Sequence, residues 1–140
     1  MNGESAYRRL MTAVTRFEDL IVWQKARQLA SEVHSACATG RAAHDYALTD
    51  QMRRASISIV SNIAEGFERK KVTYFRQYLS YARGSCAELR AQLYLACDVG
   101  WLSQSEFLRL SEHAIEVGRL LGALFRSQAL SCKARVTGTS

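Results

Sequence analysis

Arg69, Arg76, Arg83 and Arg90 recur at a spacing of seven residues. On a helix, seven residues make almost two full turns, with a drift of only ~20°. Residues so spaced share one ridge. A row of guanidiniums suits phosphates, because each contact releases counterions and adds a salt-dependent increment of affinity. Arg53, Arg54, Lys70 and Lys71 add positive charge and are expected to cluster near the adjoining helix end. Tyr74, Tyr78 and Tyr81 form a stripe on an adjacent face, where they could stack on unpaired bases. The competing reading is a solvated helix face, or arginines paired with acids of a second subunit. Asp50 stands four residues before Arg54, the favourable order for an ion pair, but such a pair contributes only about 0.2–0.5 kcal/mol. Two adjacent arginines therefore imply a contact to another helix or chain.

Asn62, Glu65 and Gly66 invite a catalytic interpretation. A single carboxylate with no neighbouring His, Lys or second acid makes a poor general acid or base. These residues are better assigned to structure. Asn62 and Glu65 can bond to neighbouring helices and fix register, and Gly66 can relax or end its helix. His34, His44 and His113 lie in three different segments, and no pattern puts two ligands on one helical turn. No metal or cofactor is expected. There is no Gly-rich phosphate loop and no nucleophile-elbow motif, so the chain is not expected to be an enzyme. Gly84, Gly118 and Gly122 fall inside helical segments, at a cost of roughly 1 kcal/mol each against Ala. Close helix approach is the expected compensation. The strip Ser111, Ala114, Gly118, Gly122, or else the surface from Ser56 to Ser61, is predicted to meet a neighbouring subunit. Trp23 and Trp101 are read as core or helix-end packing.

The elements that must position these groups are helices. Among 140 residues there is no proline, which favours long uninterrupted helices. The first predicted helix runs from about Asp19 to Ala38, with Leu20, Trp23, Ala26, Ala30, Val33 and Cys37 as its apolar stripe and Asp19 as N-cap. The second carries QMRRASISIVSNIAEGFER, residues 51–69, with Thr49 as cap. Its SISIVS portion alternates like a strand, but Met52, Ala55, Ile59, Ile63 and Phe67 keep helical spacing across the wider window. Ile57, Val60 and Ala64 make a second stripe, so this helix is expected to pack on two sides. The third runs from about Thr73 to Val99, with a heptad seam of Phe75, Leu79, Ala82, Cys86, Leu89, Leu93 and Ala96. The fourth opens on a capping box, Ser103 to Glu106, and continues through Phe107, Leu110, Ala114, Val117, Leu121 and Leu124. Short links between long amphipathic helices imply an all-α fold, an antiparallel up-down-up-down four-helix bundle. The bundle is expected over residues 17–130, with residues 1–16 a flexible leader and residues 131–140 a flexible polar tail.

Lys and Arg outnumber Asp and Glu by 19 to 13, for a net charge of +6. That balance permits acidic partners. The four cysteines, Cys37, Cys86, Cys97 and Cys132, form no Cys-x-x-Cys pair and read as scattered thiols of a reducing compartment. No apolar run approaches the ~20 residues of a membrane span. No membrane partner is expected, and a cytoplasmic location is.

The stretches FEDLIVWQKARQLASEV, LTDQMRRASISIVSNIAEGFER and YFRQYLSYARGSCAELRAQLYLACDVGWLS resemble the four-helix-bundle proteins of the 23S ribosomal RNA intervening-sequence group. The resemblance covers about residues 17 to 127. Arg-Arg-Ala, Asn-Ile-Ala-Glu-Gly and Ala-x-Gly-Ser in that order carry it. Members often have a proline near the position of Arg41 to Ala43, and this chain has none. The resemblance implies a bacterial cytoplasmic bundle assembled into a ring, with a pentamer favoured. A similar class serves retroelements as an accessory protein that contacts a reverse transcriptase and nucleic acid. The resulting expectation is a non-catalytic homo-oligomer that binds RNA or a protein–nucleic-acid complex. The alternative is a structural or protein-interaction ring.

Overall fold

The computed structural model describes residues 13–40, 42 and 46–136, with side chains described as far as residue 128. After a 3-10 turn at Phe17–Asp19 come four helices: α1 at Ile21–Cys37, α2 at Tyr46–Glu68, α3 at Val72–Asp98 and α4 at Gln104–Val136. Among the described residues there is no strand. The SISIVS alternation is helical, because the apolar spacing on either side of it dictates the local backbone.

The helices stand in a ring. α1 and α3 each pack against both α2 and α4, and neither diagonal pair is in close backbone contact. Side-chain pairs give the directions. Ser58 of α2 meets Ser85 of α3, and seven residues on, Glu65 meets Tyr78, seven residues back. Cys86 of α3 donates to the Ala114 carbonyl of α4, while Tyr94 packs on Phe107. Lys25 of α1 pairs with Glu116 of α4, and Glu32 with His113. Each pairing climbs one helix as it descends the other, so these neighbours are antiparallel.

The α3 seam is buried at all seven of its expected positions, and the α4 seam at all six. Ile59 and Ile63 of α2 and Leu79, Leu89 and Leu93 of α3 belong to one core with Leu29, Val33, Leu110, Leu121 and Leu124. Burying each such aliphatic side chain contributes about 1.5–3 kcal/mol before conformational entropy is charged. Of the expected α1 stripe, Leu20, Ala26, Val33 and Cys37 are buried, joined by Val22, Leu29 and Ala36, while Trp23 and Ala30 are only partly buried. Trp23 instead sits at the edge, its ring 5.0 Å from Phe17 and its face under the Arg27 guanidinium at 5.6 Å.

Termini differ in detail. Leu20, not Asp19, is the N-cap of α1, and no side chain caps it. α2 begins at Tyr46, which places Thr49 inside the helix and buried rather than at a cap. Lys70 closes the α2–α3 turn with φ 57°, and Gly100 closes the α3–α4 turn with φ 80°. The Ser103 capping box forms: Ser103 Oγ accepts from the Glu106 amide at 3.2 Å, and the Glu106 carboxylate accepts from the Ser103 amide at 3.0 Å. α4 runs on to Val136, past the polar composition expected to end it near residue 130. That segment contains neither Gly nor Pro, so polarity alone does not break it. Val14, placed in the expected leader, packs on the core. Residues 1–12 of the expected leader, 137–140 of the expected tail, and the loop positions 41 and 43–45, His44 among them, lie outside the described residues.

Candidate nucleic-acid interface

Arg76, Arg83 and Arg90 point from α3 toward α4. The Arg76 guanidinium lies 4.8 Å from the centroid of the Phe125 ring, and that of Arg83 lies 5.5 Å from the same ring. Further along, Arg83, Arg90 and Arg119 wall a recess of about 230 Å³ between the two helices, floored by Cys86, Ala87, Ile115 and Gly118. α4 adds Arg126, whose Nη1 lies 3.3 Å from the point a Cβ on Gly122 would occupy, with Arg83 Nη2 at 3.9 Å. Arg119 and Arg126 are absent from the sequence-derived set, although they too stand seven apart. Only the α3–α4 packing reveals that their ridge faces that of α3.

None of these five arginines has a carboxylate within 4.0 Å among the described residues. The paired acids lie off this face: Glu116 bonds Lys25 of α1, and Glu65 and Asp50 of α2 bond Arg69 and Arg54. Arg76 Nε is buried and without a hydrogen-bond partner. The face is therefore a groove rich in arginine, none of them in a salt bridge among the described residues, with an aromatic ring set under its head.

The other predicted cations do not join it as expected. Arg53 and Arg54 lie in the first half of α2, and Lys70 and Lys71 follow its end, roughly 25 Å away at ~1.5 Å per residue. A shared cluster is excluded by helix length. Arg54 is bound to Asp50 at 2.9 Å. On α1, burial pushes the Cys37 thiol up against the opposing pull of the Arg53 charge. Lys70 and Lys71 occupy the turn about one helical turn before Arg76, with Lys71 Nζ 5.7 Å over the Tyr74 ring. Arg69 bends away from the ridge and bonds Glu65 and Tyr78.

The tyrosines face the other way. Tyr78 donates to Glu65 of α2 at 3.0 Å, and Tyr81 accepts from Gln77 at 2.8 Å. Since α2 and α4 flank α3 on opposite sides, the stripe lies across α3 from the arginines, not beside them. The aromatic group of the groove is Phe125.

Asn62, Glu65 and Gly66 lie on the α2–α3 seam. Asn62 Nδ2 donates to the Ser58 carbonyl at 2.8 Å and to Ser58 Oγ at 3.0 Å, and that hydroxyl meets Ser85 Oγ at 2.8 Å. Glu65 accepts from both Tyr78 and Arg69, which pushes the Tyr78 phenol and the Arg69 guanidinium above their ordinary values. Gly66 does not end the helix, which continues to Glu68. It is buried, and a Cβ there would stand 2.5 Å from Tyr78 Cβ. Its role is close approach of α3.

The two strips predicted to face a neighbouring subunit are partly used inside the chain. Ala114 is buried in the core, and Gly118 has only an ordinary contact, 3.6 Å to Cys86 Sγ. Ser56 is buried and donates to the Arg53 carbonyl. What α2 leaves outward is its second stripe: Ile57 is 50% exposed, and with Val60 and Ser61 it lines a groove of about 460 Å³ against Ala30 and His34 of α1. His34 bonds the Ala30 carbonyl, and His113 bonds Glu32 at 2.6 Å. No group of three or more His, Cys, Asp or Glu suited to a metal ion occurs among the described residues.

The family model of the 23S rRNA-intervening sequence protein matches residues 18–123. The chain belongs to this family. A crystal structure of a protein of unknown function from the S23 ribosomal protein family of Bacteroides thetaiotaomicron superposes with a TM-score of 0.70 at 18% identity, covering 75% of this chain and 98% of that chain. At that identity the likeness shows the shared fold alone. No protein of curated function matches the chain. For this intervening-sequence protein, no helix among the described residues is long and apolar enough to cross a membrane.

Proposed function

We propose that this intervening-sequence protein is a non-catalytic binding module that holds RNA, alone or within a protein–nucleic-acid complex, along the α3–α4 groove. One observation carries the reading: Arg76, Arg83, Arg90, Arg119 and Arg126 share one face without a carboxylate partner among the described residues. Five guanidiniums so placed repel one another, and a phosphate backbone supplies the missing charge. Assembly belongs to the same reading. The half-exposed Ile57 stripe of α2 supports a closed homo-oligomer in the bacterial cytoplasm, which would repeat the groove around the ring.

The test is fluorescence anisotropy with a labelled single-stranded RNA between 50 and 200 mM salt. Five phosphate contacts give a slope of log affinity against log salt of about −3.5, at ~0.7 per contact for single strands. Changing Arg83 and Arg90 to Gln should flatten it by about 1.4. A salt-insensitive signal, or no binding at 50 mM, overturns the proposal. If the double variant instead dissociates the oligomer and no RNA binding was ever present, the arginines pair across subunits and the structural-ring reading stands.

A further inference from the structure

The arginines of the groove are not evenly spread. Arg76 and Arg83 both lean over Phe125, and Arg83 and Arg126 both reach within 4 Å of the point above Gly122. Three guanidiniums thus converge at one end of the face. The open recess begins at Arg83 and runs toward Arg90 and Arg119, whereas Phe125 stands between the helices beneath Arg76 and Arg83. The cluster is the head of the groove and not a mid-point along it. Arg76 Nε, buried without a partner, lies in this cluster.

Gly122 has no other evident purpose. It is buried in mid-helix, where glycine is disfavoured, and no backbone of a neighbouring helix presses on it. What a side chain would meet there is the Arg126 guanidinium at 3.3 Å. The bare backbone lets Arg126 fold flat over its own helix and join Arg83.

A phosphodiester within a chain carries one negative charge and two free oxygens. A phosphomonoester end carries nearly two charges at neutral pH and three free oxygens, and it has a second pKa near ~6. Three converging guanidinium forks, unneutralised by protein, match the second group. We infer that Arg76, Arg83 and Arg126, seated on Phe125 and Gly122, form a site for the phosphorylated end of an RNA strand. The terminal nucleoside then occupies the recess between Arg83, Arg90 and Arg119, and the next phosphates follow it out. This rests on the reading that the groove takes RNA.

The experiment uses the full chain and one single-stranded RNA sequence in three forms: 5′-phosphorylated, 3′-phosphorylated, and hydroxyl at both ends. At pH 7.5, one phosphorylated form should bind about tenfold more tightly than the hydroxyl form, and which one gives the polarity of the strand. The preference should fade below pH ~6 as the monoester loses its second charge. Arg126→Gln should abolish it. Gly122→Ala should reduce it without unfolding the chain, as checked by circular dichroism, because Arg126 must shift by a few tenths of an ångström, while affinity for the hydroxyl form changes less than about threefold. Arg119→Gln, outside the cluster, should weaken all three RNAs alike. Equal, salt-dependent binding of all three RNAs by the native chain overturns the end site and leaves the groove reading in place. Binding of none overturns both.

Discussion

Gly66→Ala and Gly84→Ala are the same substitution inside two helices, and the packing gives them opposite signs. At Gly66 the new Cβ would lie 2.5 Å from Tyr78 Cβ and 3.3 Å from Phe75 Cδ2. Tyr78 Cβ is fixed to its backbone and cannot swing aside. Restoring a carbon–carbon separation of about 3.5–4.0 Å requires α2 and α3 to part by roughly 1 Å. Overpacking of this kind costs about 1–3 kcal/mol. The same movement stretches the Ser58–Ser85 bond at 2.8 Å and the Tyr78–Glu65 bond at 3.0 Å, and hydrogen bonds are each worth about 0.5–1.5 kcal/mol net. Alanine returns about 1 kcal/mol of helix propensity. The balance is a loss of about 2 kcal/mol. At Gly84 a Cβ meets nothing within 4 Å, so only the propensity gain remains, about 0.5–1 kcal/mol of added stability. Guanidinium chloride unfolding followed by ellipticity at 222 nm, at one fixed protein concentration, measures both. A Gly66→Ala protein as stable as the parent would show that α2 and α3 are not in close contact there, and the assigned role of Gly66 would fall.

Other outcomes follow from the same geometry. Ser103→Ala should cost about 1 kcal/mol in the same unfolding assay, because the Glu106 amide loses its acceptor. Burial pushes the Cys37 and Cys86 thiols above the ordinary value of 9.0, so in a Cys132→Ser background iodoacetamide should label Cys97 first. Cys37 and Cys86 should react only on unfolding, which mass spectrometry can follow. A raised thiol favours the folded state fully below pH ~9, and that contribution is lost as pH rises through the folded value. Stability should therefore fall above pH ~9, and Cys86→Ala should reduce the fall. Arg83→Gln should raise the melting temperature of the RNA-free chain slightly at 20 mM salt, by relieving like-charge repulsion. The gain should vanish at 1 M salt, where the screening length is about 3 Å.

Much of the fold was legible in the chain itself. The α3 and α4 seams, the capping box and the absence of proline are local signals. A period of 3.5 residues defines a buried stripe whatever it packs against, and a cap bonds its own first turn. The α1 stripe was legible at Leu20, Ala26, Val33 and Cys37 but not at Leu29 and Val22, because Trp23 and Ala30 keep helical spacing too and only packing shows that they lie at the edge of the core. Thr49 has the chemistry of a cap, but the helix has already begun at Tyr46, three residues earlier.

Sequence by itself determined that Arg76, Arg83 and Arg90 share a ridge, because seven residues return a helix to nearly the same direction. It could not say which way the ridge points, since that depends on how the seam is rotated toward its partners. Tertiary structure decided that the ridge faces Arg119 and Arg126, that the tyrosines lie across α3 from it, and that Arg53 and Arg54 stand apart from Lys70 and Lys71. The reason is geometric: periodicity fixes angles within one helix, whereas proximity between helices is set by which buried faces interlock.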